Sequence, residues 1–306
     1  MSIVKSLSVG DGDMFYIKHG SDNFTIIDCC MSEEDRGYIV NELKAESAGK
    51  GVVRFISTHP DDDHIKGLAH LQEELNLLNF YCVKNEVTKP DQNDDFDRYC
   101  ALRDDREKAF YIFSGCSRRW MNQSGDGRDS AGINILWPVT DNKDYQEALT
   151  AAKDGESPNN ISPIVQYRLN DGATILWMGD LETDFMDNLN TIPVRAADIL
   201  FAPHHGRDTG KVPADWLEKI KPRLIIIGEA PAEHLNYYQG YNTITQNSAG
   251  DITLDCDSGK THIYVSNQDY DVDFLDEEGM PDSYGAKYIG TLKVRAFNAM
   301  RAARAQ

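Results

Sequence analysis

Short apolar runs rich in Val, Ile and Phe, separated by turns of Gly, Asp and Asn, set the rhythm of this chain and predict strands alternating with helices. Residues 3–9 and 13–19 flank Gly10-Asp11-Gly12, which predicts a β-hairpin. Asn23–Asp28 predicts a strand ending in a carboxylate. A helix is expected over 33–48, with Ser32 as N-cap and Glu33, Glu34 and Asp35 in its first turn. Val52–Ile56 reads as a buried strand, and Ile65, Leu68, Leu71, Leu75 and Leu78 then recur at helical spacing. After a strand at 79–84, residues 85–131 turn polar and irregular, with one helix at 94–108, and read as an insertion.

The second half repeats the rhythm. Ile133–Pro138 predicts a strand and 143–153 a helix, and Ile164–Leu169 and Thr174–Met178 form a hairpin around Asn170-Asp171-Gly172. A helix at 183–191, a strand at 197–202, a helix at 213–220 and strands at Arg223–Ile227, 252–255 and 261–266 follow. Residues 267–286 are acidic and rich in turn formers, and the tail from Lys293 reads as a short basic helix docking on the acidic body. The fold class expected is α/β, a sandwich of mixed sheets. One domain covers 1–270, and 271–306 form an acidic turn and basic helix packed on it.

Composition narrows the function. The 306 residues, 41% hydrophobic and 26% charged, describe a globular chain with a sizeable core. No apolar run approaches the roughly 20 residues that cross a bilayer, so no membrane insertion is expected. The N-terminus turns polar too soon for a signal peptide, and the six cysteines form no C-x-x-C pair; a cytoplasmic, reducing compartment is expected. A net charge of −19, from 31 basic and 50 acidic residues, argues against the broad basic face of a nucleic-acid binder.

The chemistry concentrates in Ser57–Leu68, where His59, Asp61, Asp63 and His64 lie on the turn between a predicted strand and a helix. Open α/β sheets place their sites at such strand ends. Alone, a His-Pro-Asp turn is more often a solvated loop than a metal site. Two more marks change that balance: Asp180 follows the apolar run Thr174–Met178, and His204-His205 follow the strand at 197–202.

This pattern resembles the H-x-[HDE]-x-D-H signature of the metallo-β-lactamase-fold superfamily. Val9-Gly-Asp-Gly-Asp13, Ile26-Ile-Asp28, Asn159-Asn-Ile-Ser162, Leu176-Trp-Met-Gly-Asp180 and Phe201-Ala-Pro-His204-His205-Gly206 follow the superfamily's order. The set looks most like the bacterial branch that contains ComEC-type competence proteins and phosphorylcholine esterase. The resemblance implies an αββα sandwich with two divalent ions, zinc or manganese, at one edge. His59 and Asp61 would hold the first ion, and Asp63, His64 and one of His204/His205 the second, with Asp180 bridging. Asp63 would also orient the attacking water, and Asp28 would steer a ligand histidine.

Departures from the family pattern matter too. Many relatives carry His in place of Asp61 and another near Asn159–Ser162, so the first site is short of imidazole and expected to be the weaker. Asn159 and Ser162 are expected to fix loops rather than to bind metal. Lys66 and Arg207 replace a glycine and a serine of the family pattern, and one of the two is expected to contact an anionic substrate group. Asp63, Asp180, His205, Lys66, Arg207 and, at a position where relatives often place a histidine, His234 make up the expected catalytic set. The implied activity is hydrolysis of a phosphoester or phosphodiester, in a nucleotide, a nucleic acid or a phospholipid headgroup. Two alternatives remain open: a carboxylic ester or amide hydrolase, and a metal-stabilised non-catalytic subunit with a protein partner in a bacterial defence or uptake system.

Overall fold

The computed structural model describes residues 1–295. The chain opens with the antiparallel strands β1 (Ser2–Ser6), β2 (Phe15–Lys18) and β3 (Asn23–Ile27), joined as the sequence predicts, and a two-residue bridge strand β4 (Cys29–Cys30). Helix α1 (Arg36–Ser47) leads to β5 (Val52–Ile56), the short helices α2 (Asp62–Ile65) and α3 (Leu68–Leu75), β6 (Phe80–Cys82), α4 (Asp94–Asp104) and β7 (Ala109–Tyr111). The second half holds β8 (Ile133–Trp137), α5 (Lys143–Lys153), β9 (Ile164–Arg168), β10 (Thr174–Trp177), α6 (Thr183–Asn188), β11 (Ile199–Phe201), α7 (Ala214–Ile220), β12 (Leu224–Ile227), β13 (Thr243–Thr245) and α8 (Gln246–Ala249). Strands β14 (Ile252–Asp257), β15 (Lys260–Val265) and β16 (Lys287–Lys293) return to the first sheet.

Two mixed sheets result. The first runs β16-β15-β14-β1-β2-β3-β5-β6-β7 and the second β13-β12-β11-β10-β9-β8. In the first, β3, β5, β6 and β7 are parallel, and in the second so are β10, β11, β12 and β13; the other neighbours are antiparallel. The α/β class with mixed sheets is therefore as expected. Phe15 of the first sheet meets Trp177 and Phe201 of the second, with ring centroids 6.1 and 4.9 Å apart, so the two sheets share one core. Among the described residues, no helix is long and apolar enough to cross a membrane.

Several boundaries differ from expectation for identifiable reasons. The helix expected through Ile65 and Leu78 is broken at Gly67, whose φ of 87° no helix accommodates. Leu78 lies past its end and is exposed. Helix α1 starts at Arg36, and Ser32 Oγ accepts from Asp35 N–H in the turn that leads into it, the bond expected of Ser32 as an N-cap. Helix α4 stops at Asp104, since the Asp105 carboxylate accepts from the N–H groups of Glu107 and Lys108.

The 85–131 segment is less of an excursion than its composition suggests. It supplies the edge strand β7, and Asp95 on α4 accepts from the N–H groups of Gly67 and Ala69 at the start of α3. Strand β13 is too short and β16 too broken in pattern, by Gly290, for periodicity to reveal them. Residues 287–293 thus belong to the first sheet, where an appended turn and helix were expected over 271–306. Lys293 ends a strand rather than starting a helix, and the rest of that expected helix, 296–306, lies outside the described residues.

The hairpin turn between β1 and β2 is clamped onto α2. Asp13 N–H donates to the Asp63 carbonyl at 3.1 Å, and a Cβ on Gly12 would lie 2.5 Å from that same carbonyl oxygen and from Cys30 Sγ. Gly12→Ala should therefore destabilise the fold by about 1–3 kcal/mol, measured by chemical denaturation. An unchanged midpoint would show that the clamp is loose.

Candidate metal centre

The C-terminal ends of β3, β5, β10 and β11 open onto one edge of the molecule, together with the β1–β2 turn. They bring Asp28, His59, Asp180, His204, His205 and Asp13 into one cluster, and α2 adds Asp63 and His64. Asp180, almost wholly buried, is at its centre. Its Oδ1 lies 3.1 Å from His64 Nε2, and its Oδ2 lies 3.6 Å from His204 Nε2, 3.6 Å from His205 Nε2 and 3.9 Å from His59 Nε2. Asp63 is 3.3 Å from His205 Nε2 and 4.0 Å from His64 Nε2. Ligand atoms held about 2.1 Å from a tetrahedral ion stand roughly 3.4 Å from one another, so these spacings suit a metal.

Every imidazole in the cluster is oriented from behind. His64 Nδ1 faces Asp28 Oδ2 at 3.0 Å, and His205 Nδ1 faces Asp13 Oδ1 at 3.1 Å. His59 Nδ1 faces Thr58 Oγ1 and Ser162 Oγ at 3.1 and 3.2 Å, and His204 Nδ1 faces Thr209 Oγ1 at 2.8 Å. All four therefore turn Nε2 towards Asp180. The inward atoms His59 Nε2, His64 Nε2, His205 Nε2 and Asp180 Oδ1 are buried and make no hydrogen bond. Native interiors hold such groups to a few per hundred residues, so four within one cluster call for a partner. A cluster of Asp13, His64, Asp180 and His205, whose candidate ligand atoms lie within 4.8 Å of one another, could hold a metal ion.

The charges agree with that fit. Burial works against a charged His205, but Asp13 and Asp180 outweigh it and raise its imidazole to about 10. Burial likewise opposes charge on His64, yet Asp180 and Asp28 raise it well above the ordinary histidine range. Burial favours a neutral Asp63 too, but His205 Nε2, 3.3 Å away, and the charge of His64 hold it down at about 2. Two imidazolium protons thus stand where a dication would compensate the same carboxylates. His59, by contrast, is kept neutral by burial and by the neighbouring His64.

The expected site residues do not all converge. His59, Asp63, His64, Asp180, His204 and His205 do, with His205 deep beside Asp63 and His204 nearer the rim. Asp61 lies 3.7 Å from His59 Nε2 but also 3.3 Å from Lys89 Nζ. Asp28 occupies the steering position expected of it, on a backbone with φ of 56° and bonded to Thr58 as well. Ser162 contacts His59 and accepts from Asp180 N–H, and Asn159 donates to Glu182. Lys66 is exposed and lines a depression with Asp62, Asn93, Asp94 and Asp95. Arg207 reaches towards Asp11 at 3.9 Å, and His234 stacks on Tyr237 and faces Asp208 at 4.0 Å.

Two residues had no role assigned from the sequence. Asp13 entered only as the end of the Val9-Gly-Asp-Gly-Asp13 mark, and Lys89 carried no signal. His204 and His205 adopt consecutive left-handed conformations, with φ of 53° and 55°, a strain that concentrates at functional sites. The chain matches no protein-family model and no curated protein.

Two outcomes are expected. Asp13→Asn and Asp28→Asn should each weaken metal binding about 10–100-fold in a competition titration with a chelator, because each orients a histidine. The raised pKa of His205 gives stability that is complete below the unfolded value near 6.5 and is lost as pH rises towards about 10. Calorimetry of chelator-treated protein should thus show its melting temperature falling across that window, an effect that bound metal removes. A rise would contradict the charge assignment.

Proposed function

We propose that this chain is a metal-dependent hydrolase of the metallo-β-lactamase fold acting on phosphoesters, with phosphodiesters as the favoured class. The observation that carries the proposal is the set of four oriented imidazoles turned on one buried carboxylate, with three of their inward nitrogens and Asp180 Oδ1 buried and unbonded. Two mixed sheets with helices, and a cluster built from strand ends in the order of the sequence marks, support an αββα arrangement. The net charge of −19 favours a small phosphoester over a long nucleic acid, whose counterion release needs a basic face.

His64, His205, Asp63 and Asp180 would hold the ion, with His59, Asp61 and His204 adjoining it. When bound, a divalent ion there lowers the pKa of a coordinated water and polarises a phosphoryl oxygen. The chain's own groups do the rest. Asp63, a third exposed where Asp180 is closed off, stays ionised and can accept a proton from an entering water. Asp13 and Asp28 keep the Nε2 atoms aimed while charge shifts in the site. Arg207 and His234, on the loops flanking His204, offer donors at the rim for the substrate's anionic oxygens.

Hydrolysis of an aryl phosphodiester with added manganese, zinc or magnesium tests this. Turnover is expected, and His64→Ala and Asp180→Ala should each lower it by more than about a hundredfold. Turnover of aryl carboxylic esters alone would point to the ester-hydrolase alternative. No turnover above the variants with any metal would favour a non-catalytic subunit.

A further inference from the structure

The histidines of the cluster are each held from behind, and so is Asp61. Its Oδ2 lies 3.7 Å from His59 Nε2, while its Oδ1 lies 3.3 Å from the ammonium of Lys89. Asp61 is also the N-cap of α2, where an aspartate ordinarily accepts from an N–H two or three residues on, and its side chain makes no such bond. The carboxylate is turned away from its local partners, towards a distant lysine and a histidine of the cluster.

Lys89, between β6 and α4, is itself fixed. Its ammonium donates to Asp62 Oδ1 at 3.0 Å and stands 5.7 Å from the centre of the Phe96 ring. Only 16% of its side chain is exposed. Asn93, the N-cap of α4, donates to the same Asp62 oxygen at 3.4 Å. Asp62 is the nearer of the two carboxylates, so the lysine brings its own counter-charge and Asp61 keeps a negative charge for the cluster.

A carboxylate pinned at one oxygen presents the other in a set direction. Asp61 Oδ2 meets His59 Nε2, which lies 3.9 Å from Asp180 Oδ2, and His204 Nε2 lies 3.6 Å from that same Asp180 oxygen. Resting on the metal-dependent reading above, we propose that Lys89 is the positioning residue of Asp61. It holds Oδ1 so that Oδ2 serves as a metal ligand on the His59 side, as Asp28 and Asp13 aim His64 and His205.

Charge and orientation act here with opposite signs. An ammonium repels a dication, so its removal tightens metal binding if Asp61 stays in place and weakens it if Asp61 swings free. Competition titration of the full chain with a chelator, following every equivalent of zinc or manganese taken up, reads that sign. Lys89→Met and Asp61→Ala are each expected to weaken binding about 10–100-fold, while Lys89→Arg, which keeps a charged donor, stays within about threefold of wild type. Lys89→Met added to Asp61→Ala should cost nothing further, because the lysine acts through that carboxylate. Unchanged or tighter binding in Lys89→Met would overturn the proposal, as would wild-type affinity in Asp61→Ala or a further loss of about tenfold in the double variant. A wild type that takes up no metal would overturn the metal reading itself, and this proposal with it.

Discussion

Burying the Asp180 carboxylate is the constraint on which the functional edge of this protein depends. An ionised group taken out of water costs several kcal/mol unless partners answer it, and Asp180 is almost fully enclosed. The answer comes from four histidines on two segments far apart in sequence, brought together only because parallel strands end on one edge. Asp13 and Asp28 then balance the histidines in turn. The result is an alternating shell of carboxylate, imidazole and carboxylate, with inward atoms that the protein itself does not satisfy.

That shell explains features that look unrelated. The β1–β2 turn must lie close against the ligand turn, because Asp13 reaches His205 only from there, and Gly12 permits the approach. Ser162 bonds both His59 and the backbone of Asp180, tying two strand ends at one hydroxyl. Left-handed backbone at His204 and His205 lets adjacent residues aim at the same carboxylate from different sides. Strain of about 1–3 kcal/mol per such residue persists only where its surroundings enforce it.

Much of this was legible in the chain. Strand ends carrying Asp28, His59, Asp180 and His204-His205 follow from apolar runs that stop at polar residues, and both short hairpins follow from their Gly-Asp and Asn-Asp-Gly turns. What stayed hidden has physical causes. An aspartate in a glycine turn serves the turn whether or not it also meets a histidine, so Asp13 was ambiguous. Lys89 acts across a gap of 28 positions from Asp61, and no local pattern encodes such a pairing. Strand β16 breaks its alternation at Gly290 and owes its place to β15. The 85–131 segment reads as irregular because its role is to buttress the start of α3 and to deliver a cation, neither of which needs periodicity.

The central claim is that the unsatisfied inward atoms around Asp180 exist to hold a metal. An anomalous-scattering map from crystals grown with manganese or zinc tests it most directly. The account predicts a peak about 2.0–2.3 Å from His64 Nε2, His205 Nε2 and a carboxylate oxygen of Asp180. A map without a peak there, with those atoms hydrogen-bonded to water or to one another, would contradict it.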